Sequence, residues 1–133
     1  GKALMLQPGT DVTILATGHL VWEALIAAEN LANQGISAEV INIHTLKPLD
    51  AKAIVDSAKK TGAVVTGEEH NYLGGLGESV ARVLTTHLPT PQEFVATQDT
   101  FGESGTPEQL MDKYGLNTKA IEKAVFKVLE RKA

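Results

Sequence analysis

The sequence predicts an α/β fold in which a parallel sheet is covered by helices on both faces. Short β-rich segments alternate with segments of helical periodicity, which is typical of this class. One β-rich run, Val12–Ala16, is apolar throughout, as expected of a central strand buried on both faces. The stretch Ala63–Leu84 contains a strand, a glycine-rich loop and the start of a helix, which together make half of a βαβ unit. The crossover connections should be right-handed.

The composition indicates one domain. The chain has 133 residues, of which 43% are hydrophobic and 21% charged, as is ordinary for a globular protein. A net charge of −4 does not favour nucleic acid or an anionic membrane as a partner. The absence of cysteine excludes disulfides and thiolate metal sites and is compatible with a cytoplasmic location. We therefore expect a single domain over residues 1–133, without nucleic-acid or membrane partners.

The first third of the chain is expected to form two strands and a helix. Lys2–Gln7 is a short apolar segment that predicts a weak edge strand, and Val12–Ala16 predicts the central one. A helix over Leu20–Asn33 follows, and Gly35 ends it as a C′ residue. The residues expected on its buried stripe are Val21, Ala24, Leu25, Ala28, Leu31 and Ala32.

The middle of the chain repeats this alternation. Ala38–Ile43 predicts a strand, and Asp50 is placed to cap a helix that runs to about Lys60. Gly62 ends that helix, and the β-branched run Val64–Thr66 predicts the next strand. After the glycine-rich loop, helical periodicity extends from Glu78 to about His87, and Glu93–Ala96 predicts a last short strand.

The end of the chain is predicted to form two helices. Thr106 opens a capping-box pattern, and Gly115 is placed to terminate the short helix that it starts. Asn117 is then expected to cap the last helix, with Leu116 and Ile121 forming a hydrophobic staple. The Lys and Glu residues opposite the apolar face of that helix are most simply a solvated surface.

The glycine-rich loop is the first candidate site. Gly74, Gly75 and Gly77 precede a helix, where main-chain N–H groups can hold an anion. Their spacing is neither that of a dinucleotide fingerprint nor that of a P-loop, so a tight turn that permits close packing is the alternative. His70 lies beside the loop, and its alternative role is that of a surface or interface residue.

Other polar residues do not form a recognisable catalytic or metal site. The four histidines, His19, His44, His70 and His87, show no i,i+4 pair, so a histidine metal site has little support. Glu68 and Glu69 are adjacent on a strand and should point to opposite faces, which places them poorly for joint acid–base chemistry. No G-x-S-x-G pattern marks a nucleophile.

Four segments carry a resemblance to a known family. They are DVTILATG at Asp11–Gly18, ISAEVINIHTLKPLD at Ile36–Asp50, VVTGEEHNYLGGLGESVA at Val64–Ala81 and DTFGESGTPEQLMDKYGL at Asp99–Leu116. In this order they resemble the C-terminal domain of transketolases, and most of all the smaller, C-terminal subunit of transketolases split into two chains. The C-terminal domains of 1-deoxyxylulose-5-phosphate synthase and of 2-oxoacid dehydrogenase β subunits are also similar, but the fourth segment favours transketolase.

The resemblance implies a fold and a role. It implies a three-layer α/β/α domain with a five-stranded mixed sheet whose first strand is antiparallel. It also implies part of a thiamine diphosphate- and Mg-dependent transketolase, a dimeric enzyme that transfers a two-carbon ketol unit between sugar phosphates, as in the pentose phosphate pathway. In the family the cofactor lies between two other domains, which supply a Gly-Asp-Gly…Asn pattern and an activating glutamate. That pattern is absent here, so we expect no catalytic, cofactor-binding or metal residue on this chain.

The expected partner follows from the same resemblance. It consists of the N-terminal transketolase domains or subunit, and this chain would contribute to assembly rather than to chemistry. The alternative is a docking module, like the C-terminal domain of a 2-oxoacid dehydrogenase β subunit, that binds another component of a large complex. An upstream reading frame with the metal and diphosphate pattern would favour transketolase, and a neighbouring lipoyl-domain acyltransferase would favour docking.

Two surfaces are therefore candidates for contacts. The strand order implied by the family places Val12–Ala16 beside Val64–Thr66, so that an anion is expected near His19, His70 or the Gly74–Gly77 amides. The second candidate is the pair Trp22 and Ile26, one helical turn apart on the flank of the first helix. That pair is too apolar for a solvated flank, so either a loop covers it or it contacts the missing domains or a second subunit.

Overall fold

The computed structural model describes residues 2–44, 47–69, 75–97 and 106–132, the side chains at 97 and 107–114 excepted. Within these ranges strands and helices alternate, as predicted. The elements are β1 (Leu4–Gln7), β2 (Val12–Ala16), α1 (Leu20–Ala32), β3 (Ala38–Asn42), α2 (Ala51–Thr61), β4 (Val64–Glu69), α3 (Leu76–His87), β5 (Gln92–Thr97) and α4 (Pro107–Arg131). No helix of the described residues is long and apolar enough to cross a membrane.

The strands form one mixed sheet in the order β1-β3-β2-β4-β5. β1 is antiparallel to β3, and the pairs β2–β3, β2–β4 and β4–β5 are parallel. All five residues of β2 are buried, because this strand lies in the middle of the sheet and is covered on both faces. The predicted mixed sheet with an antiparallel first strand is therefore confirmed.

The core consists of two layers, one on each face of the sheet. Alternate residues of β2 point to opposite faces, so Ile14 packs with α1 and α4 whereas Leu15 packs with α2 and α3. Leu31 and Val128 contribute to the first layer, and Ile54 contributes to the second. The molecule thus has the three-layer α/β/α arrangement that the sequence resemblance implies.

The buried face of α1 differs from the predicted stripe. Its buried residues are Leu20, Glu23, Ala24, Ala27, Ala28 and Leu31. Of the predicted positions, Val21 and Leu25 are only half-buried and Ala32 is exposed. The face is rotated because α1 packs against α4 as well as against the sheet, so a second flank of the helix is covered. One consequence is that an acidic residue, Glu23, is buried.

The two helices predicted at the end of the chain are a single helix, α4. Gly115 does not terminate a helix, and Asn117 is buried inside α4 instead of capping it. Leu116 is largely exposed, which rules out the predicted staple with Ile121. An interior glycine costs a helix about 1 kcal/mol relative to alanine, and the packing of α4 on α1 and β5 outweighs this cost.

The predicted ends of α2 are confirmed, whereas α3 begins at Leu76, two residues before the predicted start at Glu78. Asp50 caps α2, since its Oδ1 accepts a hydrogen bond from the main-chain N–H of Ala53 at 3.1 Å. Its Oδ2 accepts a second one from Ala3 in the segment before β1, at 2.9 Å. Gly62 ends α2 in the left-handed conformation with φ of 76°. Asp50 therefore ties the start of α2 to the edge of the sheet.

Candidate functional site

The carboxyl ends of β2 and β4 form the place where the winding of the sheet reverses. The chain leaves β2 towards β3 on one side, and β4 lies on the other side of β2. Ligands of open α/β sheets bind at such switch points. Two connections meet here, namely Thr17–His19 before α1 and the segment that joins β4 to α3. Of the predicted site residues, His70 and Gly74 lie outside the described residues, whereas His19, Gly75 and Gly77 are described.

The connection from β2 to α1 is a tight turn that brings the backbone close to β4. Gly18 has φ of 57°, a conformation that favours glycine. A Cβ atom on Gly18 would lie 3.6 Å from Oε1 of Glu69, so the Glu69 carboxylate sits directly against this turn. His19 is the N-terminal cap residue of α1 and makes no side-chain capping hydrogen bond. Its exposed position places the imidazole at the rim of the switch point.

The start of α3 is held by a carboxylate from the neighbouring strand. Oε2 of Glu68 accepts a hydrogen bond from the main-chain N–H of Gly77 at 2.6 Å. This negative group lies in the first turn of the helix, where the helix dipole favours it. Gly75 is the N-terminal cap residue of α3 and is buried. One of the amides predicted to hold an anion is therefore already bound to a carboxylate of the chain itself.

Gly77 is required by packing as well as by this hydrogen bond. A Cβ atom there would lie 2.5 Å from Cδ2 of Phe94 and 3.0 Å from Oε2 of Glu68. The carbonyl oxygen of Gly77 accepts a hydrogen bond from the Gln92 side chain at 3.0 Å. The geometry at Gly77 thus supports a tight turn that permits close packing, which is the alternative to an anion site in the glycine-rich loop.

Glu68 and Glu69 point in different directions, as the alternation of a strand dictates. Glu68 reaches α3, whereas Glu69 is buried beside Gly18 on the side of α1. The predicted strand ends at Thr66, but β4 continues to Glu69. Both carboxylates therefore belong to the strand, whose alternation fixes the direction of each side chain. They do not form a joint acid–base pair.

A second buried acid, Glu23, lies in the first turn of α1 and was not predicted. Its side chain is 1% exposed, and within the described residues neither of its carboxylate oxygens has a hydrogen-bond partner. The side-chain amide nitrogen of Asn117 on α4 is likewise buried without one. Burial raises the pKa of Glu23 above its usual value, with smaller opposing contributions from the main chain of Glu23, from Asn117 and from His19.

The flank of α1 exposes an apolar pair beside this site. Trp22 is 71% exposed and Ile26 is 46% exposed. Among the described residues no loop covers this pair, which was the alternative to a contact with another domain or subunit. Asn30, one turn further along the same row, donates a hydrogen bond to Glu122 of α4 at 2.9 Å. The row of Trp22, Ile26 and Asn30 therefore follows the seam between α1 and α4.

The described residues contain no group of three or more His, Cys, Asp or Glu side chains that could hold a metal ion. The carboxylates at the strand ends serve α3 and the turn before α1. The site thus contains buried carboxylates and, beside them, an exposed apolar flank.

The chain is similar to known proteins over nearly its whole length. The family described as "Transketolase, C-terminal domain" matches residues 1–121. The 6-deoxy-6-sulfo-D-fructose transketolase subunit SqwH of Clostridium sp. (strain MSTE9) is 53% identical over 132 residues, which are 99% of this chain and 41% of the relative. The 1-deoxy-D-xylulose-5-phosphate synthase of Desulforudis audaxviator (strain MP104C) is 39% identical over 123 residues, 91% of this chain and 19% of that enzyme.

A solved structure agrees with these sequence matches. It is titled "Split gene transketolase, inactive beta4 tetramer" and is 46% identical, with a TM-score of 0.85, over 99% of this chain and 43% of its own. The chain thus spans about two fifths of the two split-transketolase proteins.

Proposed function

Because the chain belongs to the transketolase C-terminal domain family, we propose that it is the C-terminal part of a thiamine diphosphate-dependent transketolase. The observation that carries this proposal is the 53% identity to a transketolase subunit across 99% of the chain. The complete enzyme transfers a two-carbon ketol unit between sugars that carry an anionic group. The relative's name specifies a sulfonated fructose, so both phosphate and sulfonate sugars belong to the proposed substrate class.

In this proposal the chain contributes to assembly, and the rest of the enzyme supplies the chemistry. Thiamine diphosphate and Mg bind to the N-terminal domains or subunit of the enzyme and not to this chain. The whole of residues 1–133 acts as one domain, and the complete enzyme is a cytoplasmic homodimer. The Glu68 carboxylate supports the assignment, because it already occupies the Gly77 amide at the start of α3.

The experiment is a reconstitution from two parts. The chain alone is titrated with thiamine diphosphate and Mg by calorimetry, and we expect no binding heat. Addition of the N-terminal part should then restore cofactor binding and ketol transfer. Micromolar cofactor binding by the chain alone, or no ketol transfer by a stable complex of the two parts, would contradict the proposal.

A 1-deoxyxylulose-5-phosphate synthase is the second candidate, favoured by the 39% identity to one such enzyme over 91% of the chain. It would need the same N-terminal chemistry but a different two-carbon donor. The same reconstituted enzyme distinguishes the two, because a synthase condenses pyruvate with a triose phosphate whereas a transketolase uses a ketose donor. The 2-oxoacid dehydrogenase alternative is tested by the same assay, with a lipoyl domain as the acceptor.

The anion site predicted at the switch point remains a proposal. His19 and Gly75 lie at the same end of the sheet, which supports it. The Gly77 amide is occupied by Glu68, so an anion would be held by His19, His70 and the amides of Gly74 and Gly75. A crystal grown in sulfate should place an ordered ion there, and ordered ions only on unrelated surfaces would count against the site.

A further inference from the structure

The outer edge of β5 carries main-chain groups that point away from the sheet. The N–H of Val64 donates to the carbonyl oxygen of Pro91 at 3.0 Å, which fixes the side of the chain that faces β4. The next carbonyl, that of Gln92, accepts from Arg131 at 2.8 Å on the opposite side. Since these directions alternate along a strand, the N–H and C=O groups of Phe94 and Ala96 also point outward. Within the described residues no strand pairs with this edge.

A groove runs between this edge and α4. It has a volume of about 300 Å³ and is lined by residues of both elements. Its lining includes Phe94 and Ala96 on β5 and Ala120, Lys123 and Lys127 on α4. The Phe94 side chain is 55% exposed and lies against Gly77 of α3 on the other face of the sheet, so the edge is open to solvent.

The α4 wall of the groove is basic. Lys123, Lys127 and Arg131 follow one another at intervals of four residues, so they lie in one row along the helix. Glu93 pairs with Lys127 at 3.5 Å and with Arg131, but Lys123 has no ion-pair partner among the described residues. Three cations therefore face one carboxylate, in a chain whose net charge is −4. This local excess of positive charge is opposite in sign to the molecule as a whole.

The charge pattern selects among possible occupants. A second copy that paired antiparallel through β5 would place the Lys123 and Lys127 rows of two molecules next to each other, which like-charge repulsion disfavours. An acidic segment would instead have its carboxylates opposite these lysines while its backbone paired with Phe94 and Ala96. We propose that this groove binds an acidic, extended polypeptide segment of a partner protein as an added sixth strand at the edge of the sheet. The proposal does not depend on the transketolase assignment, because it is argued from the β5 edge and the charges of α4.

The test uses a blocked synthetic peptide of about eight residues in which glutamate and valine alternate, a length that spans the edge strand. The isotope-labelled chain is titrated with this peptide, and amide shifts and hydrogen exchange are followed by NMR. We expect the amides of Phe94 and Ala96 to shift and to exchange more slowly. Binding should weaken as salt is added, because the lysines are exposed.

Two variants separate the parts of the proposal. Lys123→Glu should weaken binding by about fivefold or more, about 1 kcal/mol on the scale where tenfold is 1.4 kcal/mol. The matched control Lys59→Glu, which reverses an exposed lysine of α2 on the other face of the sheet, should leave binding unchanged. Ala96→Pro removes an outward N–H without removing a bond to β4, and should abolish the slow exchange at the edge. Its fold is checked by circular dichroism.

Several results would overturn the proposal. Equal weakening by Lys59→Glu and Lys123→Glu would mean that only net charge matters. Equal binding of a lysine–valine peptide would remove the role of the basic row. Binding without slower hydrogen exchange at Phe94 and Ala96 would mean that no strand is added to the edge. Equal binding of a short oligothymidylate with the same shifts would show an unspecific polyanion surface. If Ala96→Pro does not fold, the exchange data and the lysine pair decide the question.

Discussion

At the scale of single residues, two buried glutamates behave in opposite ways because their partners differ. Glu39 is fully buried, and burial alone would raise its pKa. Hydrogen bonds from Lys60, Ser57 and the Gly9 main chain outweigh this effect and lower the pKa below its usual value. Glu23 lacks such partners within the described residues, and its pKa is raised.

These opposite shifts predict opposite pH dependence of stability. Glu39 contributes stability above its unfolded pKa, and this contribution is lost as the pH falls through the lower folded pKa. Glu39→Gln should therefore cost about 1–3 kcal/mol near neutral pH and progressively less in acid. Glu23 favours the folded state below its unfolded pKa, and that advantage is lost as the pH rises through the higher folded pKa. Glu23→Gln should thus raise the free energy of unfolding at pH 8 relative to the native chain, but not at pH 4.

Urea unfolding of the native chain and both variants across this pH range measures the two differences. The native-minus-variant difference isolates one carboxylate, because the other titrating groups are shared. A loss of stability at pH 8 for Glu23→Gln would mean that the buried carboxylate has a hydrogen-bond partner that compensates for its burial. A pH-independent effect of Glu39→Gln would mean that its ion pair and hydrogen bonds do not lower its pKa.

The sequence contains a signal that Glu23 is buried. Position 23 is three residues after Leu20 and four before Ala27, so it lies on the face that packs against the sheet and α4. An acidic residue within an otherwise apolar face predicts a buried charge. The predicted stripe from Val21 to Ala32 differs from the buried face because sequence periodicity does not show on which side a later helix will pack.

At the scale of elements, short sequence patterns predicted those strands and helix ends that interactions between neighbouring residues determine. The β-branched runs located β2 and β4, and the cap residues Asp50 and Gly62 located both ends of α2. The continuity of α4 was not predictable in this way, because Gly115 and Asn117 are helix-ending signals on their own. Tertiary packing against α1 and β5 overrides them, and that packing involves residues distant in the sequence.

Two glycines in helices should respond oppositely to alanine. In α3, Gly77→Ala places a Cβ atom 2.5 Å from the Phe94 ring, so the ring or the helix has to move. We expect a loss of stability of about 1–3 kcal/mol, typical of overpacking, despite the better helix propensity of alanine. In α4, a Cβ atom on Gly115 meets nothing within 4 Å, so Gly115→Ala should stabilise by about 0.5–1 kcal/mol.

Thermal unfolding of the two variants measures this contrast. Gly115→Ala is the control for helix propensity, and the difference between the variants reports the packing at Gly77. Equal stabilisation by both substitutions would show that Phe94 moves aside at little cost. In that case the contact between α3 and β5 would not be a reason for glycine at this position.

At the scale of the whole molecule, the exposed surfaces indicate how the domain meets its neighbours. The two sheet edges, β1 and β5, and the flank of α1 all present large apolar side chains to solvent, notably Met5, Phe94 and Trp22. Isolated apolar residues on a surface are common, but a tryptophan one turn from an isoleucine forms a patch. The positions of Trp22 and Ile26 around α1 predicted that they lie outside the buried stripe, and both are exposed although the buried face of α1 is rotated from the predicted one.

The patch predicts the effect of Trp22→Ala on assembly with the N-terminal part of the proposed enzyme. The side chain makes few contacts within the domain at 71% exposure, so the melting temperature of the chain alone should change little. Tryptophan is enriched at binding hot spots, and its truncation at one costs about 2 kcal/mol or more, roughly a thirtyfold loss of affinity. Phe126→Ala is the matched control, because Phe126 is also exposed, at 42%, but on α4. Analytical ultracentrifugation of the reconstituted enzyme measures the affinity between the parts. A Trp22→Ala domain that loses several kcal/mol of its own stability yet assembles normally would show that Trp22 supports the fold and that the interface lies elsewhere.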